Sequence, residues 1–153
     1  MLPERATARG IVLSEEGVIL IRRVKKGSEY WVTPGGGIEE GETPEVTMHR
    51  ETREELEITI DNARLVLEVR SIVNGVLQHD YYFTGKLAKG TGNKIAGPES
   101  ERANGDNIYD PRTVTLAQLD DINLVPDYVK ALIKRILMGE NVDFMELNLL
   151  PSG

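Results

Sequence analysis

The sequence predicts an α+β domain, built mainly of hairpin-connected strands with few helices. Three observations predict this class. Short β-branched and aromatic runs are separated by turn residues over much of the chain, which is typical of antiparallel strands. Two longer segments instead carry apolar residues at helical spacing. The length of 153 residues suits one hydrophobic core, and the sequence contains neither an internal repeat nor a domain linker.

The first part of the chain is predicted to be strands. Residues 8–13 and 18–21 are apolar runs on either side of a turn, which predicts a hairpin. Residues 30–33 predict a further short strand. Pro34 and the glycines at 35–37 follow it and indicate a tight turn before the next element.

The strongest helix signal starts at Thr43. Threonine is a good N-cap, and Pro44 suits the first helical position. The stretch from there to about Leu56 contains neither Gly nor another Pro. Met48, Thr52 and Leu56 recur at intervals of four and predict a narrow stripe that faces the core.

Strand patterns return after this helix. Residues 65–69 and 76–83 flank Asn74-Gly75, a strong two-residue hairpin turn. Residues 89–107 are polar and rich in Gly, without apolar periodicity, and predict a long loop of the kind that often carries function.

The end of the chain is predicted to add a strand, a helix and a tail. The strand lies within residues 108–115, and a second amphipathic helix begins at Pro126 and stops at Gly139. We therefore expect one domain over residues 1–139. The tail over residues 140–153 alternates weakly, so it is expected to add a strand to this sheet or to be exchanged with a partner subunit, which favours a homodimer.

Composition excludes several kinds of protein. Lys and Arg number 18 against 25 Asp and Glu, a net charge of −7, which argues against a stable nucleic-acid-binding surface. Cysteine is absent, which excludes disulfides, thiolate metal sites and a cysteine nucleophile. We find neither a secretory signal nor an apolar run long enough for a membrane span, so we expect a cytoplasmic protein without membrane association.

A cluster of carboxylates is predicted on the first helix. At about 100° per residue, Glu51, Glu54 and Glu55 fall within an arc of about 100°. Three carboxylates so close repel one another unless a cation lies among them, and hard oxygen ligands suit Mg²⁺ or Mn²⁺. The alternative is a solvated acidic face, on which Arg50 and Arg53 offset the repulsion.

The spacing of the whole segment from Gly36 to Ile58 resembles the Nudix box, G-x5-E-x7-R-E-U-x-E-E-x-G-U, in which U is a bulky aliphatic residue. Thr52 departs from the pattern but keeps branched bulk on the buried face. Glu57 departs more seriously, because the usual glycine ends the helix in a conformation that disfavours other residues. The matching positions are Gly36, Glu42, Arg50, Glu51, Glu54, Glu55 and Ile58.

The resemblance implies a fold and a set of roles. The fold would be an α/β/α sandwich with a mixed sheet between helices. The cofactor would be Mg²⁺, with Mn²⁺ as a possible substitute, held by Glu51, Glu54, Glu55 and Gly36. Arg50 would orient the glutamates through charge-assisted hydrogen bonds. The substrate would be a small-molecule nucleotide, a nucleoside diphosphate linked to another group, whose diphosphate is attacked by water.

The proton acceptor for that water is left open. Catalytic candidates are Glu51 and Glu54, with Arg50, and also Glu99 and Glu101 in the predicted long loop, for which the alternative is a solvated loop acid. The glycines Gly36 and Gly37 would let backbone approach the phosphates, and Glu42 would brace the loop or contact metal through water. The basic run at residues 22–26, which contains Arg22 and Arg23, is a candidate for phosphate contact, although solvated strand-end charges are the more common case. Arg5 and Arg9 are similar candidates with a slightly better case, because they lie on or near the first strand.

Two rival functions follow from the same segment. A Nudix-like module that senses a nucleotide without cleaving it is expected to lose box carboxylates, which this chain retains. An isoprenoid diphosphate isomerase would need a catalytic cysteine, which is absent. Oxidised nucleoside triphosphates, ADP-ribose, dinucleoside polyphosphates and nucleotide sugars all remain open as substrates.

Overall fold

The computed structural model describes residues 1–93, 95 and 106–151. Within these ranges, three helices accompany one eight-stranded sheet. The helices are α1 (Pro44–Leu56), α2 (Leu116–Leu119) and α3 (Asp127–Leu137). The strands are β1 (Glu4–Leu13), β2 (Val18–Lys25), β3 (Ser28–Val32), β4 (Gly35–Gly37), β5 (Thr59–Val73), β6 (Val76–Lys89), β7 (Asn107–Val114) and β8 (Met145–Asn148).

The sheet is mixed, as predicted. Its main order is β3-β2-β1-β6-β5-β8, with β4 paired to β1 and β7 paired to β2. The pairs β1–β6 and β5–β8 are parallel, and the other pairs are antiparallel. The hairpin predicted at Asn74-Gly75 joins β5 to β6, and both residues have positive φ, as a primed turn requires.

The sheet opens between β1 and β2. Their described pairing covers two positions, Val12 opposite Ile19 and Leu13 opposite Val18. Towards its start, β1 pairs instead with β4, and β2 pairs with β3 and β7. The resulting gap is bordered by side chains from both halves of the sheet, and it is this gap that positions the candidate site.

Two apolar cores cover opposite faces of the sheet, which confirms the expected sandwich. Successive side chains of a strand point to opposite faces, so Ile21 of β2 joins the core beneath α1 while Leu20 joins the core beneath α3. Met48 of α1 and Ile133 of α3 are almost wholly buried in their respective cores. Burial of each such side chain contributes about 1.5–3 kcal/mol.

Helix α1 begins and ends where the sequence predicts. The backbone N–H of Val46 donates to the hydroxyl of Thr43 at 3.2 Å, and Pro44 occupies the first turn. At the other end Glu57 has φ 56° and ψ 39°, and its N–H donates to the carbonyl of Arg53 at 2.9 Å. The helix therefore ends at a residue in the left-handed conformation. Glycine usually occupies such a position, and here it is Glu57.

The structure corrects several boundaries. The glycines predicted to form only a turn make strand β4, because they pair with residues 7–9 of β1. The strand near residue 115 ends at Val114, since Thr115 becomes the N-cap of α2. Pro126 is the N-cap of α3 rather than its first residue. The strand β8 of the tail pairs with β5 of the same chain. No helix among the described residues has the length and apolar character needed to cross a membrane.

Candidate active site

The guanidinium of Arg50 organises the acidic residues of the loop and helix. It donates from Nε to Oε2 of Glu42 at 2.7 Å and from Nη2 to Oε1 of Glu42 at 2.9 Å. It also donates to Glu51 at 3.0 Å and to Glu54 at 3.3 Å. A further bond from Nη2 reaches the carbonyl of Gly37 at 3.3 Å. One side chain thus ties α1 to β4 and to the turn between them.

Glu42 is held by several hydrogen-bond donors. Besides Arg50, its carboxylate accepts hydrogen bonds from the hydroxyl of Thr47 at 2.8 Å and from the backbone N–H of Glu39 at 3.0 Å. The hydrogen bond from Arg50, followed by that from Glu39, lowers the pKa of Glu42 from 4.5 to about 2. The same bond raises the pKa of Arg50 above its usual value. Glu42 therefore fixes Arg50, and Arg50 in turn fixes Glu51.

Two further glutamates lie against strand β4. A Cβ atom on Gly36 would lie 2.5 Å from the carboxyl carbon of Glu51, so the absence of a side chain at Gly36 leaves room for that carboxylate. The carboxylate of Glu55 accepts the backbone N–H of Gly35 at 3.3 Å, and Glu55 is only 7% exposed. Helix α1 therefore presents two acids to the glycine strand, while Glu54 is exposed beside them.

The donor set fits a hard divalent cation. It consists of carboxylate oxygens from Glu51, Glu54 and Glu55 and the backbone carbonyl of Gly36, which are the ligand types Mg²⁺ prefers. The space at Gly36 leaves room for donors to meet. In the described part of the chain, however, no three acidic or imidazole side chains already converge as a metal site would. Arg50 lies against Glu51 and Glu54, so exposed Glu54 would have to turn away from Arg50 to act as a ligand.

A cleft of about 320 Å³ opens beside Glu55, in the gap between β1 and β2. We call it the cleft. Arg9 of β1 lines it and donates to the carbonyl of Thr33 at 3.2 Å. Arg23 of β2 also lines it, stacked 3.6 Å above the ring of Tyr109. The cleft thus combines a metal-type acid with cations suited to phosphate oxygens.

Arg23 is held in place without an acid. Its Nη2 donates to the side-chain oxygen of Asn107 at 2.8 Å, and its side chain lies close to Tyr30 and Tyr109. The residue is 8% exposed, and it forms no salt bridge with any residue that the structure describes. A buried cation without a carboxylate partner is well prepared to meet an anion.

The structure places Arg22 elsewhere. Neighbouring residues on a strand point to opposite faces, so Arg22 lies on the α3 side of the sheet while Arg23 faces the cleft. Arg22 forms salt bridges with Glu29 at 2.9 Å and Asp110 at 3.2 Å. Burial opposes ionisation of Asp110, but hydrogen bonds from Arg112 and Arg22 outweigh it and lower its pKa. The charge of Arg22 is thus paired with acids on neighbouring strands, and its side chain does not line the cleft.

The other predicted residues divide as follows. Gly36, Gly37, Glu42, Arg50, Glu51, Glu54 and Glu55 are brought together at α1 and β4, and Arg9 reaches the adjoining cleft. Glu99 and Glu101 lie outside the described residues. Tyr109 of the cleft was not predicted from the sequence, whereas Arg5 and Arg23, considered there as possible phosphate contacts beside Arg9 and Arg22, do line it. Alternation along β2 could have singled out Arg23, since Ile21 and Arg23 share a face.

Two curated proteins share part of the sequence. The chain is 31% identical over 72 residues to an RNA pyrophosphohydrolase of Acinetobacter baylyi, covering 47% of this chain and 43% of that protein. It is 37% identical over 60 residues to an RNA pyrophosphohydrolase of Photobacterium profundum, covering 39% and 34%. The chain therefore spans less than half the length of these relatives.

Solved structures share the fold over most of the chain. A Nudix hydrolase from Nitrosomonas europaea superposes with a TM-score of 0.71 at 19% identity, covering 99% of this chain and 81% of that one. A MutT protein from Bacillus halodurans gives 0.61 at 21% identity, covering 96% and 91%. A UDP-X diphosphatase gives 0.66 at 20% identity, covering 96% and 68%. The sequence model of the NUDIX domain matches residues 3–132, and the chain accordingly belongs to the Nudix hydrolase family.

Proposed function

We propose that the protein is a magnesium-dependent hydrolase that cleaves the diphosphate linkage of a nucleoside diphosphate joined to another group. One observation carries the proposal: Glu55, tethered to Gly35, borders a cleft that also contains Arg9 and Arg23. One carboxylate of the proposed metal site and two cations suited to phosphate oxygens therefore lie at the same opening. The names of the relatives, RNA pyrophosphohydrolase and UDP-X diphosphatase, support this class of reaction.

In the proposed reaction, the oxygen of a water molecule bonds to one phosphorus of the diphosphate. The bond from that phosphorus to the bridging oxygen breaks, and the second phosphate leaves with its electron pair. A carboxylate accepts the proton of the water. Bound Mg²⁺ supplies charge neutralisation at the phosphates and lowers the pKa of the attacking water.

The chain's own residues divide these tasks. Glu51, Glu54 and Glu55 would hold the ion, and the carbonyl of Gly36 would complete the donor set. Arg50 would keep Glu51 in place, because Glu42 fixes the orientation of its guanidinium. Arg9 and Arg23 would bind the phosphate oxygens in the cleft. We include a cytoplasmic location in the proposal, since hydrolysis of nucleotides requires access to them and the chain has no cysteine.

The test is a phosphate-release assay with added phosphatase, run on nucleoside triphosphates, ADP-ribose, dinucleoside polyphosphates and nucleotide sugars. Each substrate is assayed with Mg²⁺, with Mn²⁺ and with EDTA. We expect turnover of one class that EDTA abolishes. Glu55→Gln should lower kcat by at least about tenfold, because loss of a charged group at a metal site or its supporting shell typically costs this much.

Glu45→Gln is the matched control. Glu45 lies in the first turn of the same helix, is exposed, and belongs to no box position. It should leave turnover unchanged. If Glu55→Gln retained full turnover and full metal dependence on a confirmed substrate, the assignment of this site would be wrong. If folded protein turned over no class while still binding a nucleotide, the hydrolase proposal would give way to the sensing function.

A further inference from the structure

The two outer edges of the sheet differ in how they are covered. At one edge, β3 is covered by residues 123–125. The N–H of Trp31 donates to the carbonyl of Asn123 at 2.8 Å, and the N–H of Val125 donates to the carbonyl of Trp31 at 2.9 Å. At the other edge, no strand among the described residues pairs with the outer side of β8. Natural edges are commonly protected by lysine, proline or a bulge. Strand β8 contains neither lysine nor proline, and it pairs with β5 in an unbroken register.

The backbone of β8 directs alternate groups away from the sheet. The N–H of Leu149 donates to the carbonyl of Arg70 at 2.8 Å, so Leu149 bonds towards β5. Backbone groups alternate sides along a strand, and Leu147, two residues earlier, therefore also bonds towards β5. The N–H and C=O groups of Glu146 and Asn148 consequently point outwards, where a further strand can pair with them.

One symmetric register suits these outward groups. A second copy of the chain would meet β8 as an antiparallel pair about a two-fold axis, which passes through residue 146, 147 or 148. An axis at Glu146 would oppose two like charges. An axis at Asn148 would set Glu146 opposite Leu150, whose N–H already donates to the side chain of Asn148 at 3.0 Å. An axis at Leu147 sets Glu146 opposite the partner's Asn148, so that a carboxylate meets an amide and both outward backbone groups find partners.

In this register, the apolar side chains of β8 also meet apolar side chains. Met145 and Leu147 pack against the core beneath α3, and alternation places Leu149 on the same face. Leu147 would contact its own copy, and Met145 would lie opposite the partner's Leu149. Leu149 is 52% exposed in the single chain, so the pairing would remove apolar surface from water.

The charges on the opposite face are complementary across the same axis. Glu146 lies beside Glu68 of β5, and Asn148 lies beside Arg70. Glu68 is directed to His79, with 3.8 Å between its carboxylate and Nε2, while Arg70 is exposed and forms no salt bridge with a residue that the structure describes. The partner's Glu146 would lie across Asn148 from Arg70, two strand spacings of about 4.8 Å away. An extended guanidinium covers that distance, so each Arg70 gains a carboxylate partner.

We propose that the chain forms a homodimer in which the two β8 strands pair antiparallel about Leu147 and join the sheets of both subunits into one. Each tail stays on its own sheet, so strands are added without being exchanged. The interface consists of one short strand from each subunit, and small interfaces belong to weak complexes. We therefore expect a dimer that dissociates on dilution. The inference is independent of the hydrolase proposed above, because it involves no residue of the cleft or of α1.

Introduced cysteines test the register. The chain has no cysteine, so a single new thiol reports on its own copy. Leu147→Cys places two Cα atoms about 4.5 Å apart, within the range of a disulfide. Leu149→Cys is the matched control on the same face, more exposed but about 14 Å from its copy. Non-reducing electrophoresis after mild oxidation should show a cross-linked dimer for Leu147→Cys alone. Equal cross-linking of the two variants, or cross-linking of neither, would overturn the inference.

Sedimentation velocity at increasing micromolar concentrations tests the interface without a covalent bond. Asn148→Lys should tighten the dimer by about threefold and Asn148→Asp should weaken it by about threefold, because each meets the partner's Glu146. Glu146→Pro should abolish the dimer, since it removes an N–H that points away from β5, a position where an edge strand tolerates proline. Thermal melting checks that each variant is folded, and the Asn148 pair decides if Glu146→Pro is not. A wild type that stays monomeric, or shifts of the same sign in both Asn148 variants, would refute the pairing.

Discussion

Arg50 donates two hydrogen bonds to the carboxylate of Glu42, 2.7 Å from Nε to Oε2 and 2.9 Å from Nη2 to Oε1. The remaining terminal nitrogen reaches Glu51 and Glu54 on the same helix. A guanidinium offers this forked geometry, whereas an ammonium offers a single point of charge. The position of the acids therefore depends on the shape of the cation as well as on its charge.

Arg50→Lys is expected to impair catalysis although it preserves charge. Lysine cannot donate to both oxygens of Glu42 and also to Glu51. The positions of the two carboxylates are then no longer fixed relative to each other. We expect kcat to fall by about 10–100-fold and the Mg²⁺ concentration for half-maximal activity to rise. Steady-state kinetics across a magnesium titration measures both quantities. Arg53→Lys, on the exposed side of the same helix, should match the wild type; unchanged kinetics in Arg50→Lys would refute the orienting role.

Gly36→Ala is expected to displace Glu51. The added methyl would lie 2.5 Å from the carboxyl carbon of Glu51, whereas a methyl on Gly37 would meet no heavy atom within 4 Å. Gly36→Ala should cost about 1–3 kcal/mol of unfolding free energy through overpacking and lower kcat by at least about tenfold. Gly37→Ala is the matched control for the contact with Glu51 and should leave the free energy of unfolding unchanged. Thermal melting of both variants decides the matter, and an equal loss of stability in the two would contradict the contact.

Glu57→Gly should stabilise the protein. Glu57 holds φ 56° at the end of α1, where an L side chain is strained and glycine is not. We expect the free energy of unfolding to rise by about 1 kcal/mol, measured by urea denaturation. Glu57→Ala should give no such gain, because alanine retains the Cβ atom. A loss of stability in Glu57→Gly would show that the glutamate side chain contributes more than its strained backbone costs.

Acid should weaken the fold through Glu42. Its pKa is about 2 in the folded protein against 4.5 for the free group. As pH falls below 4.5, the unfolded chain takes up this proton before the folded protein does, so stability declines. The contribution is complete above 4.5 and is lost as pH passes through about 2. Glu42→Gln should therefore show a smaller fall in unfolding free energy across this interval.

Chemical denaturation at several pH values in the presence of EDTA measures that interval without interference from metal. Glu45→Gln, which changes an exposed acid in the first turn of α1, should retain the slope of the wild type. An identical slope in Glu42→Gln and the wild type would mean that the hydrogen bonds from Arg50 and Glu39 do not hold Glu42 ionised.

Local signals in the sequence were enough to predict several elements. Thr43 and Pro44 fix the start of α1 through backbone chemistry confined to one turn, and Asn74-Gly75 fixes the β5–β6 hairpin in the same way. The short helix α2 has an equally local signal, the capping box of Thr115 and Gln118, although this helix was not predicted. Where a few neighbouring residues determine the conformation, the sequence is sufficient.

Such local signals could not predict which residues distant in the sequence the sheet brings together. Alternation along β2 separates Arg23 from Arg22, but the basic run at residues 22–26 does not reveal that Arg23 lies beside Arg9 and Glu55, which other elements carry. The box acids could be predicted because one helix carries them, whereas the arginines are brought together by the topology of the sheet.

The short pairing of β1 with β2 has a consequence for how substrate preference can change. The acids are carried by α1 and the turn before it, whereas the arginines and tyrosines that border the opening are carried by β1, β2, β3 and β7. Side chains on the rim can therefore be exchanged without touching the helix that carries the acids. Such a protein can therefore evolve a preference for a different nucleotide through substitutions at the border of the cleft, while the acidic residues on the helix stay the same.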